Sequence, residues 1–376
     1  MDIKIIPVTN KAGKMRFIKS QWKFYRGDKN WVPPIVAERS KLLDTDKNPF
    51  YKHSKIQLFL AESDGEVVGR IAAILNGNHQ MIHKDHTGHF GFFECIDNQE
   101  VANALFEAAE KWLKDKGMKR IIGPVNPSLN DECAFLLEGY NSPPVTLMPY
   151  NPKYYLKLAE GAGFRKEKDL YAFHLNMDTF VSEKMERLQD IIRKRHDIVI
   201  RNIDFKNKAQ FQKDVATLKD IYNKAWEPNW GFVKMTDEEF DFLAADLKPV
   251  ADPRFAFIAE SHGKPVGFAL ALPDINECLI HNRGGSLLGA LWHLLTKKKK
   301  IKLVRIIVLG VLPEFQKTGV DAVMYYQFKL MHKITNIQYG EASWVLEDND
   351  MMIKGLQETM KSELYKKYRM YVREIK

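Results

Sequence analysis

Two stretches of the sequence, LFLAESDGEVVGRIAA at residues 58–73 and AFIAESHGKPVGFALA at residues 256–271, resemble each other closely. Each predicts two short strands joined by a tight turn, because apolar and β-branched residues flank a turn-forming pair that ends in Gly65 or Gly263. The two stretches begin 198 residues apart (256 − 58). Such self-similarity is typical of a chain built from repeated units.

A second pair of segments, around Asn151 and Asn349, recurs at the same offset of 198 residues (349 − 151). Two features at one offset predict that the chain is a tandem duplication. Each copy also shows the same order of predicted elements: helix, hairpin, strand, helix, strand and helix. In the first copy the predicted helices lie at 15–25, 101–116 and 152–161 and the strands at 91–96 and 119–123. In the second copy the predicted helices lie at 209–226, 320–334 and 351–364 and the strands at 304–310 and 339–346.

Strands that alternate with helices predict an α/β fold with a mixed sheet in each copy. The predicted domains are an N-terminal domain at 1–178 and a C-terminal domain at 198–376, with a connecting helix at 179–197. Both copies are long enough to bury a core, and 45% hydrophobic and 28% charged residues are typical of a globular protein.

The composition limits the compartments and partners that come into question. No run of about 18 uncharged apolar residues is present, so no transmembrane helix is predicted, and the N-terminal residues do not resemble a signal peptide. The three cysteines are far apart, which argues against a disulfide framework and favours a cytoplasmic protein. A net charge of +9 suits an anionic partner: a nucleotide cofactor, nucleic acid or a membrane surface.

The stretch IIVLGVLPEFQKTGVDAVM at residues 306–324 has the pattern expected of a phosphate-binding site. A β-branched strand ends at Pro313, and a short loop then leads directly into a helix. The N-terminus of a helix binds phosphates through its unpaired N–H groups, and Gly319 would allow the backbone to approach the anion closely. An ordinary turn in which Thr318 caps the helix explains the same residues, so the pattern alone leaves both interpretations open.

Within this stretch, VLPEFQKTGVDAVM resembles the acyl-CoA-binding motif of the GNAT acyltransferases, in which Q/R-x-x-G-x-G/A follows a strand that ends in V-x-P-E. Gln316 and Gly319 match the motif, whereas Asp321 stands where the family has a small residue. The resemblance implies that acyl-CoA or acetyl-CoA is the cosubstrate and that no metal is needed, and the first copy has no equivalent loop. The residues that it implies for cofactor binding are Leu309, Val311, Gln316, Lys317, Thr318, Gly319, Val320 and Asn349.

Longer stretches resemble a narrower group, the bacterial tandem GNAT proteins related to bacterial ceramide synthase. They include NWVPPIVAE at 30–38, IIGPVNPSLNDE at 121–132 and AWEPNWGFVKMTDEEF at 225–240. Together such stretches cover nearly the whole chain in the same order. The resemblance implies an N-acyltransferase that moves an acyl group from acyl-CoA to an amine, including a long-chain or lipid-like amine.

Two other functions remain open. Other tandem GNAT proteins are aminoacyl-tRNA-dependent transferases, and the basic charge of this chain agrees with that activity, although no long helical arm is evident and no nucleic-acid partner is predicted. The second alternative is a non-catalytic CoA- or ligand-binding protein that kept the fold. Asp321 favours it, because an acidic side chain is unfavourable beside a pyrophosphate.

Acyl transfer to an amine needs a base for the amine and an acid for the departing thiolate. Glu341 and Glu347, in or next to the last predicted strand of the second copy, are candidate bases. Tyr368, with Tyr365 and Tyr371 close to it in sequence, is a candidate acid, since a phenol can supply a proton. A surface role for the carboxylates and core packing for the tyrosines explain the same residues.

Six further residues are candidates for substrate binding, because they combine polar and aromatic side chains near predicted turns. They are Asn126, Asn130, Glu132, Asn229, Trp230 and Phe232. Ligand sites favour domain junctions, so a pocket is one interpretation of these residues. The other is that asparagines beside glycine and proline simply form turns.

Residues 286–300, SLLGALWHLLTKKKK, form an insertion in the second copy. The leucines and Trp292 predict a helix with a broad apolar face, and Lys297–Lys300 follow it. This combination is typical of peripheral contact with an anionic membrane, here the inner membrane surface, while packing on the domain or on a partner is the alternative.

Four histidines, His79, His83, His86 and His89, cluster between two strands of the first copy. A metal site there would need more ligands than these histidines and Asp85. The histidines are therefore predicted to lie in a solvated loop, and no metal is predicted.

Overall fold

The computed structural model describes residues 1–227 and 229–375. It has a mixed α/β fold, as predicted, and its packing divides the chain into two compact units. The first unit consists of Met1–Leu170, Cys278–Leu295 and Lys366–Lys376, and the second of Tyr171–Glu277 and Thr296–Tyr365. The domain boundaries predicted from the duplication, 1–178, 179–197 and 198–376, concern the repeat rather than the packing and stay a prediction.

Strands and helices alternate along the chain. Up to residue 176 the elements are β1 (Lys4–Pro7), α1 (Lys11–Lys19), α2 (Gln21–Phe24), α3 (Val36–Leu42), β2 (Lys55–Ser63), β3 (Glu66–Leu75), α4 (Gly77–His83), β4 (Thr87–Cys95), α5 (Gln99–Lys114), β5 (Arg120–Gly123), β6 (Val125–Asn126), β7 (Glu132–Cys133), β8 (Phe135–Glu138), α6 (Tyr154–Gly161) and β9 (Arg165–Asn176). From residue 183 onward they are α7 (Glu183–His196), β10 (Ile198–Asn202), α8 (Lys208–Trp226), α9 (Asp237–Leu247), β11 (Ala256–Ser261), β12 (Lys264–Pro273), α10 (Asn276–Leu279), α11 (Leu287–Lys297), β13 (Leu303–Val311), α12 (Val320–His332), β14 (Tyr339–Leu346), α13 (Asp350–Lys354) and β15 (Glu363–Glu374). Within the described residues, none of these helices has both the length and the apolar character needed to cross a membrane.

The two predicted hairpins are present and have the same register. β2 pairs with β3 so that Ala61 lies opposite Gly69. β11 pairs with β12 so that Ala259 lies opposite Gly267, and in both hairpins the register shifts at the next residue. Both central residues of each turn have positive φ, between 48° and 78°, which is the geometry that an Xaa-Gly pair favours in a two-residue hairpin turn. The shared register supports the predicted duplication.

The sheet of the first unit has the strand order β1-β2-β3-β4-β5-β15. β4 and β5 are parallel, and β15 runs antiparallel to β5. α5 packs against this sheet because Val101, Leu105 and Ala109 form one apolar stripe along the helix. All three side chains are fully buried, so this stripe belongs to the core of the unit.

The sheet of the second unit has the strand order β9-β14-β13-β12-β11-β10, with only the end of β9 taking part. β13 and β14 are parallel, and the strands from β10 to β13 are antiparallel neighbours. α8 contributes Leu218 and Ile221 to the core, and α12 places Phe328 against Phe255 and Phe257. α7, the predicted connecting helix, packs against α12.

The last strand of each copy extends into the unit that the other copy forms. β15 ends the second copy and joins β5 in the first unit, whereas β9 ends the first copy and reaches β14 in the second unit. The sequence does not predict this exchange. Both strands have alternating β-forming residues, and that pattern does not specify the neighbour with which a strand pairs.

The predicted helix at 351–364 is wrong in its second half. α13 ends at Lys354, a π-helical turn follows, and β15 begins at Glu363. Tyr368 and Met370 are buried at alternate positions of β15, as expected of a strand with two differently exposed faces. The other predicted helices and strands are confirmed with ends that differ by a few residues, and the first predicted helix is divided into α1 and α2.

Candidate functional site

β13 and β14 part in the middle of the second unit's sheet. They pair in parallel where Leu303–Ile306 runs beside Tyr339–Ala342. A β-bulge at Ile307 bends β13 at this point, since its register with β12 shifts by one residue there. Beyond the bulge, Leu309–Val311 continues along β12 and lies beside the opening between the two strands.

A buried polar cluster lies where the two strands part. Glu341 is fully buried, and its carboxylate accepts hydrogen bonds from the hydroxyls of Ser343 (2.6 Å) and Tyr365. The Nε of Arg305 donates to the Ser343 hydroxyl at 2.9 Å and lies 3.8 Å from the carboxylate. Because the guanidinium offsets the charge of Glu341, the buried carboxylate can hold the Tyr365 hydroxyl in a fixed orientation.

The structure brings one predicted base, Glu341, together with Tyr365. Both carboxylate oxygens of Glu341 are engaged, so its direct effect is on Tyr365 and the other groups of the cluster. Glu347, the other predicted base, is half-buried just after β14. Tyr368, the predicted acid, is fully buried on β15 in the first unit. Catalytic roles for Glu341, Glu347 and Tyr368 stay predictions.

Trp344 follows Ser343 on β14 and contacts Arg305, with 5.1 Å between the guanidinium carbon and the ring centre. Its indole Nε1 is buried, and no acceptor for it lies among the residues that the structure describes. A buried donor without a partner costs roughly 1–3 kcal/mol. A ligand with a carbonyl group at this position would remove that cost, and the acyl-CoA that the motif implies carries such groups.

His174, on β9, is a candidate that the sequence reasoning missed. Its ring centre lies 5.6 Å from that of Tyr365 and 5.1 Å from that of Tyr339. Burial lowers the pKa of His174 below its usual value, although Glu341 and Glu363 act in the opposite direction. The imidazole is therefore neutral near pH 7 and able to accept a proton. The signal in the sequence is a histidine within the mostly apolar strand YAFHLN.

Aromatic side chains line one face of β13 beside the opening. The ring of Trp226, at the end of α8, lies on Gly310, where any Cβ atom would overlap the ring. Trp226 stacks on Tyr222, with 4.9 Å between ring centres, and contacts Phe268 at 6.3 Å. Tyr222 also contacts Phe232 at 5.6 Å. These four aromatic residues are here called the aromatic wall. Trp226, Tyr222 and Phe232 are half-buried and give the site an apolar surface, whereas Phe268 is buried in the core.

Three predicted substrate residues lie in the turn after α8. The N–H of Asn229 donates to the carbonyl of Trp226 at 2.9 Å, and the N–H of Phe232 donates to the carbonyl of Asn229 at 3.2 Å. Trp230 is half-buried in the same turn. These backbone bonds support the turn-forming interpretation, and the turn places Phe232 in the aromatic wall. Substrate contacts by Asn229 and Trp230 stay a prediction.

The predicted phosphate loop joins β13 to α12. Gln316 and Lys317 are exposed, and the Gln316 amide donates to the carbonyl of Val311 at 3.3 Å. The Thr318 hydroxyl donates to the carbonyl of Phe315 at 2.6 Å and does not cap the helix. The capping interpretation of Thr318 is therefore wrong, because its hydroxyl faces back into the loop.

Gly319 begins α12 and is required there for two local reasons. Its φ is 90°, and a Cβ atom would overlap Ile192 of α7. The glycine thus serves the packing of α7 on α12 as well as any bound anion. Next to it Val320 is fully buried, while Leu309 and Val311 are half-buried on β13. Cofactor contacts by these residues stay a prediction.

Asp321 and Asn349 occupy the first turns of two helices. Loss of solvation raises the pKa of Asp321, and hydrogen bonds from backbone N–H groups, chiefly that of Ala322, act in the opposite direction. We expect its negative charge, in the first turn of α12, to compete with a phosphate for this helix terminus. Asn349 caps α13 by accepting from the N–H of Met352 at 3.2 Å. The Met352 sulfur in turn accepts from Tyr325 of α12 at 3.5 Å, so Asn349 holds a helix that contacts the motif helix.

The first unit closes the equivalent part of its sheet with polar and backbone groups. Glu94 is buried on β4 and accepts a hydrogen bond from the Tyr155 hydroxyl at 2.8 Å. Arg70 of β3 lies 3.3 Å from the same carboxylate. A Cβ atom at Gly91 would overlap the backbone of Val125, which shows that β6 lies directly against β4.

The remaining predicted substrate residues hold this part of the first unit together. Asn126 accepts a hydrogen bond from the N–H of Phe92 at 2.6 Å and donates to Glu132 at 3.4 Å. Glu132 forms an ion pair with Arg39 at 2.5 Å. Asn130 lies in the turn between β6 and β7. A role of Asn126, Asn130 and Glu132 in substrate binding stays a prediction.

The predicted solvated loop is wrong for His79 and His89, which are buried because α4 packs on β4, with 5.0 Å between their ring centres. His79 lies 3.1 Å from Asp85, which also pairs with Arg120 at 2.8 Å. Burial lowers the pKa of His89 to about 3. Within residues 1–227 and 229–375, no group of three His, Cys, Asp or Glu side chains is arranged to hold a metal ion.

Two curated proteins are similar to this chain over almost their whole length, whereas no protein-family model matches it. Protein YghO of Escherichia coli (strain K12) is 34% identical over 376 residues, which cover 97% of this chain and 94% of that protein. Bacterial ceramide synthase of Caulobacter vibrioides (strain NA1000 / CB15N) is 34% identical over 382 aligned positions, which cover 98% of this chain and 97% of that protein.

Solved structures with the same fold include a tandem GNAT protein from the clavulanic acid biosynthesis pathway, with a TM-score of 0.56 and 11% identity over 100% of this chain and 99% of that one. A GCN5-related N-acetyltransferase from Sphaerobacter thermophilus has a TM-score of 0.52 and 12% identity over 99% of this chain and 96% of that one. These similarities confirm the predicted tandem GNAT fold. Together with the curated relatives, the fold supports an N-acyltransferase.

Proposed function

Because the chain belongs to the family of bacterial ceramide synthase and YghO, we propose that it is an acyl-CoA-dependent N-acyltransferase whose acceptor is a long-chain, lipid-like amine. One observation carries the proposal: β13 and β14 part at the buried cluster of Arg305, Glu341 and Tyr365, and the aromatic wall contacts the far end of β13 at Gly310. The opening thus combines backbone groups for a donor, an apolar surface for an acceptor and polar groups for proton transfer.

The geometry of β13 supports a donor site. Beyond the bulge at Ile307, the backbone of Leu309–Val311 lies beside the opening, and a strand edge of this kind can hydrogen-bond an extended amide chain. The pantetheine arm of acyl-CoA is such a chain, and the unpaired Nε1 of Trp344 offers a further donor. The start of α12 after Gly319 presents backbone N–H groups to a pyrophosphate. The residues present therefore fit acyl-CoA.

The aromatic wall supports an apolar acceptor. Burial of one CH₂ group contributes about 0.8 kcal/mol. A wall that covers roughly four methylene groups would therefore favour a long-chain amine over a short one by roughly a hundredfold. Gly310 is essential to this surface, because only a glycine lets the Trp226 ring lie on the strand.

Proton transfer needs two groups at the opening. Acyl-CoA, when bound, supplies a thioester carbonyl that the amine attacks and a sulfur that departs as a thiolate. His174 is neutral near pH 7 because burial lowers its pKa, so it can take the proton that the acceptor nitrogen releases. Tyr365, held by Glu341, can donate its hydroxyl proton to the departing sulfur. Glu341 is then a positioning residue, and Glu347 and Tyr368 remain alternative candidates for base and acid.

Release of free CoA thiol from palmitoyl-CoA, with detection of the amide by mass spectrometry, tests the proposal directly. We expect product with sphinganine and much less with ethanolamine. Tyr365→Phe should lower kcat by about 100-fold, because the proton donor is lost. Tyr326→Phe is a matched control, since the Tyr326 hydroxyl also donates to a carboxylate, that of Glu186 at 2.9 Å. The control should change kcat by less than about twofold.

The same preparation separates the alternatives. Equal use of sphinganine and ethanolamine would contradict the lipid-like acceptor but not acyl transfer. Thermal stabilisation by aminoacyl-tRNA and not by CoA would favour a tRNA-dependent transferase. Stabilisation by CoA without an amide product from any amine would favour a non-catalytic binding protein. Product formation that is unchanged in Tyr365→Phe would remove Tyr365 from the mechanism.

A further inference from the structure

α11 exposes its large apolar side chains instead of burying them. Leu288, Trp292 and Leu295 have 80%, 66% and 83% of their surface exposed, and Leu287 and Leu291 are half exposed. The buried side of the helix consists of the small side chain of Ala290 and the half-buried His293 and Leu294. We call Leu287, Leu288, Leu291, Trp292 and Leu295 the apolar stripe. A surface helix normally has the opposite arrangement, with its large apolar side chains toward the core.

The segment that leads into α11 is firmly attached to the first unit. Arg283 donates to the carbonyl of Trp31 at 2.8 Å, and its own carbonyl accepts from the Trp22 indole at 2.7 Å. A Cβ atom at Gly285 would overlap the Trp22 ring, and the carbonyl of Gly285 accepts from the N–H of Val36 at 2.9 Å. The exposed leucines therefore extend from an ordered support, and their exposure is a property of the fold.

A cluster of four lysines follows the apolar stripe in the sequence. Lys297–Lys300 come directly after Thr296, and residues 286–300 contain no Asp or Glu. Lys298, Lys299 and Lys300 are exposed. A stripe of leucines with a tryptophan and a cluster of lysines is complementary to a surface that is apolar inside and anionic outside.

We propose that α11 and Lys297–Lys300 dock this protein on the surface of an anionic lipid bilayer, with the helix in the plane of the interface. An 11-residue helix is about 16 Å long, too short to cross a hydrocarbon core of about 30 Å. The proposal rests on the proposed function in one respect: a long-chain amine resides in the bilayer, so docking brings the enzyme to its acceptor.

Vesicle flotation tests the docking without reference to catalysis. The full chain should float with phosphatidylcholine vesicles that contain phosphatidylglycerol, and less with phosphatidylcholine alone. Replacing Leu288 and Leu295 by Gln should lower the bound fraction about tenfold. Replacing Lys298–Lys300 by Gln should lower binding at low salt and remove most of its salt dependence. Met351→Gln and Ile334→Gln, which also replace exposed apolar side chains, are matched controls and should bind as the wild type does.

Each outcome supports or overturns the docking. If wild type does not float at low salt, the proposal is wrong. If light scattering shows a dimer that the Leu288→Gln, Leu295→Gln variant converts to a monomer, the stripe is a contact between copies of this chain. Because the replaced residues are exposed, the variants should keep the wild-type melting temperature. The variants should also keep wild-type CoA release with a soluble short-chain amine. Flotation without any acyl transfer would leave the docking standing and contradict the proposed function.

Discussion

Arg70 and Phe268 lie 198 residues apart, at the offset of the repeat, and they occupy corresponding positions in β3 and β12 (268 − 70). In the first unit Arg70 lies opposite Glu94, and the two form a buried ion pair. In the second unit Phe268 lies opposite Gly310, and the missing side chain leaves room for the ring of Trp226. One strand position thus carries an ion pair in one unit and an aromatic contact in the other.

The difference shows how the same fold can have a filled space beside its central strand in one copy and an open one in the other. In the first unit the ion pair and the adjacent β6 fill the space beside β4, and the Tyr155 hydroxyl donates a hydrogen bond to the Glu94 carboxylate. In the second unit β13 parts from β14, and the neighbouring surface is aromatic. A buried ion pair stabilises a protein little more than a well-packed apolar pair does. Loss of one partner is strongly destabilising, however, because the other charge is then buried without a partner. We infer that the first unit has become a support and that the second keeps the reactive site.

Removing the positively charged side chain of Arg70 from the buried ion pair should have the largest effect on stability. Arg70→Met leaves the Glu94 carboxylate buried without its partner, which should lower the free energy of unfolding by about 3–5 kcal/mol. Urea denaturation measures this change. Lys224→Met, which breaks the exposed pair with Asp220, is the control and should have a much smaller effect. Equal effects of the two variants would show that Arg70 does not stabilise Glu94.

The second largest expected effect is a loss of stability of the first unit in acid, caused by the buried His89. Burial lowers the pKa of His89 to about 3, so below about pH 6.5 the unfolded chain binds a proton that the folded chain does not. Stability is therefore full above pH 6.5 and falls toward pH 3, with a loss of about 2 kcal/mol at pH 5. Asp85, close to this cluster, has a pKa lowered to about 2 and keeps its charge in this range, whereas His79, whose pKa is also lowered, adds to the loss. The difference between the urea midpoints at pH 7.5 and pH 5 should be smaller for His89→Gln than for the wild type. An unchanged difference would contradict the assignment.

A side chain at Gly310 of β13 should have a smaller effect on stability, and this effect concerns the second unit. Gly310→Ala places a methyl group against the Trp226 ring, and the strain should cost about 1–2 kcal/mol of stability. Gly310→Ala should also reduce the preference for a long-chain amine, because the ring must move. Gly355→Ala is the control, since a Cβ atom there meets open space. Trp226→Leu combined with Gly310→Ala should recover most of the lost stability. A Gly310→Ala protein as stable as wild type would show that the ring moves freely.

The fold could be predicted because its signals are local. Gly65 and Gly263 mark turns between strands that are adjacent in sequence, and the repeat follows from comparing two short stretches. The motif at 306–324 contains a strand, a loop and the start of a helix within one continuous segment. The apolar stripe of α11 was visible as leucines at helical spacing. Apart from the repeat, each of these features depends on residues within one continuous segment of the chain.

The sequence predicted the motif and indicated Glu341 and Tyr365 as separate candidates, but it did not predict the cluster that they form. His174, Glu341 and Tyr365 lie on three strands, and no spacing in the sequence indicates that the fold brings them together. The predicted helix at 351–364 ends early because β15 begins at Glu363, and that strand pairs with partners far away in the sequence. Burial of His79 and His89 likewise depends on how α4 packs on β4. Long-range pairing decides all three cases.

The smallest expected effect concerns the motif loop, which the first unit lacks. Asp321→Asn removes a negative charge from the first turn of α12. Removing the competing carboxylate should tighten CoA binding by about two- to fivefold, since a charge at a helix terminus contributes roughly 0.3–1 kcal/mol. Isothermal titration calorimetry should also show one CoA per chain, because β13 and β14 part in the second unit, whereas β6 lies against β4 in the first. Asp350→Asn, in the first turn of α13, removes an equivalent charge elsewhere and should leave the affinity unchanged. Weaker binding by Asp321→Asn would mean that Asp321 helps to hold the ligand, and two CoA molecules per chain would mean that the first unit is not closed.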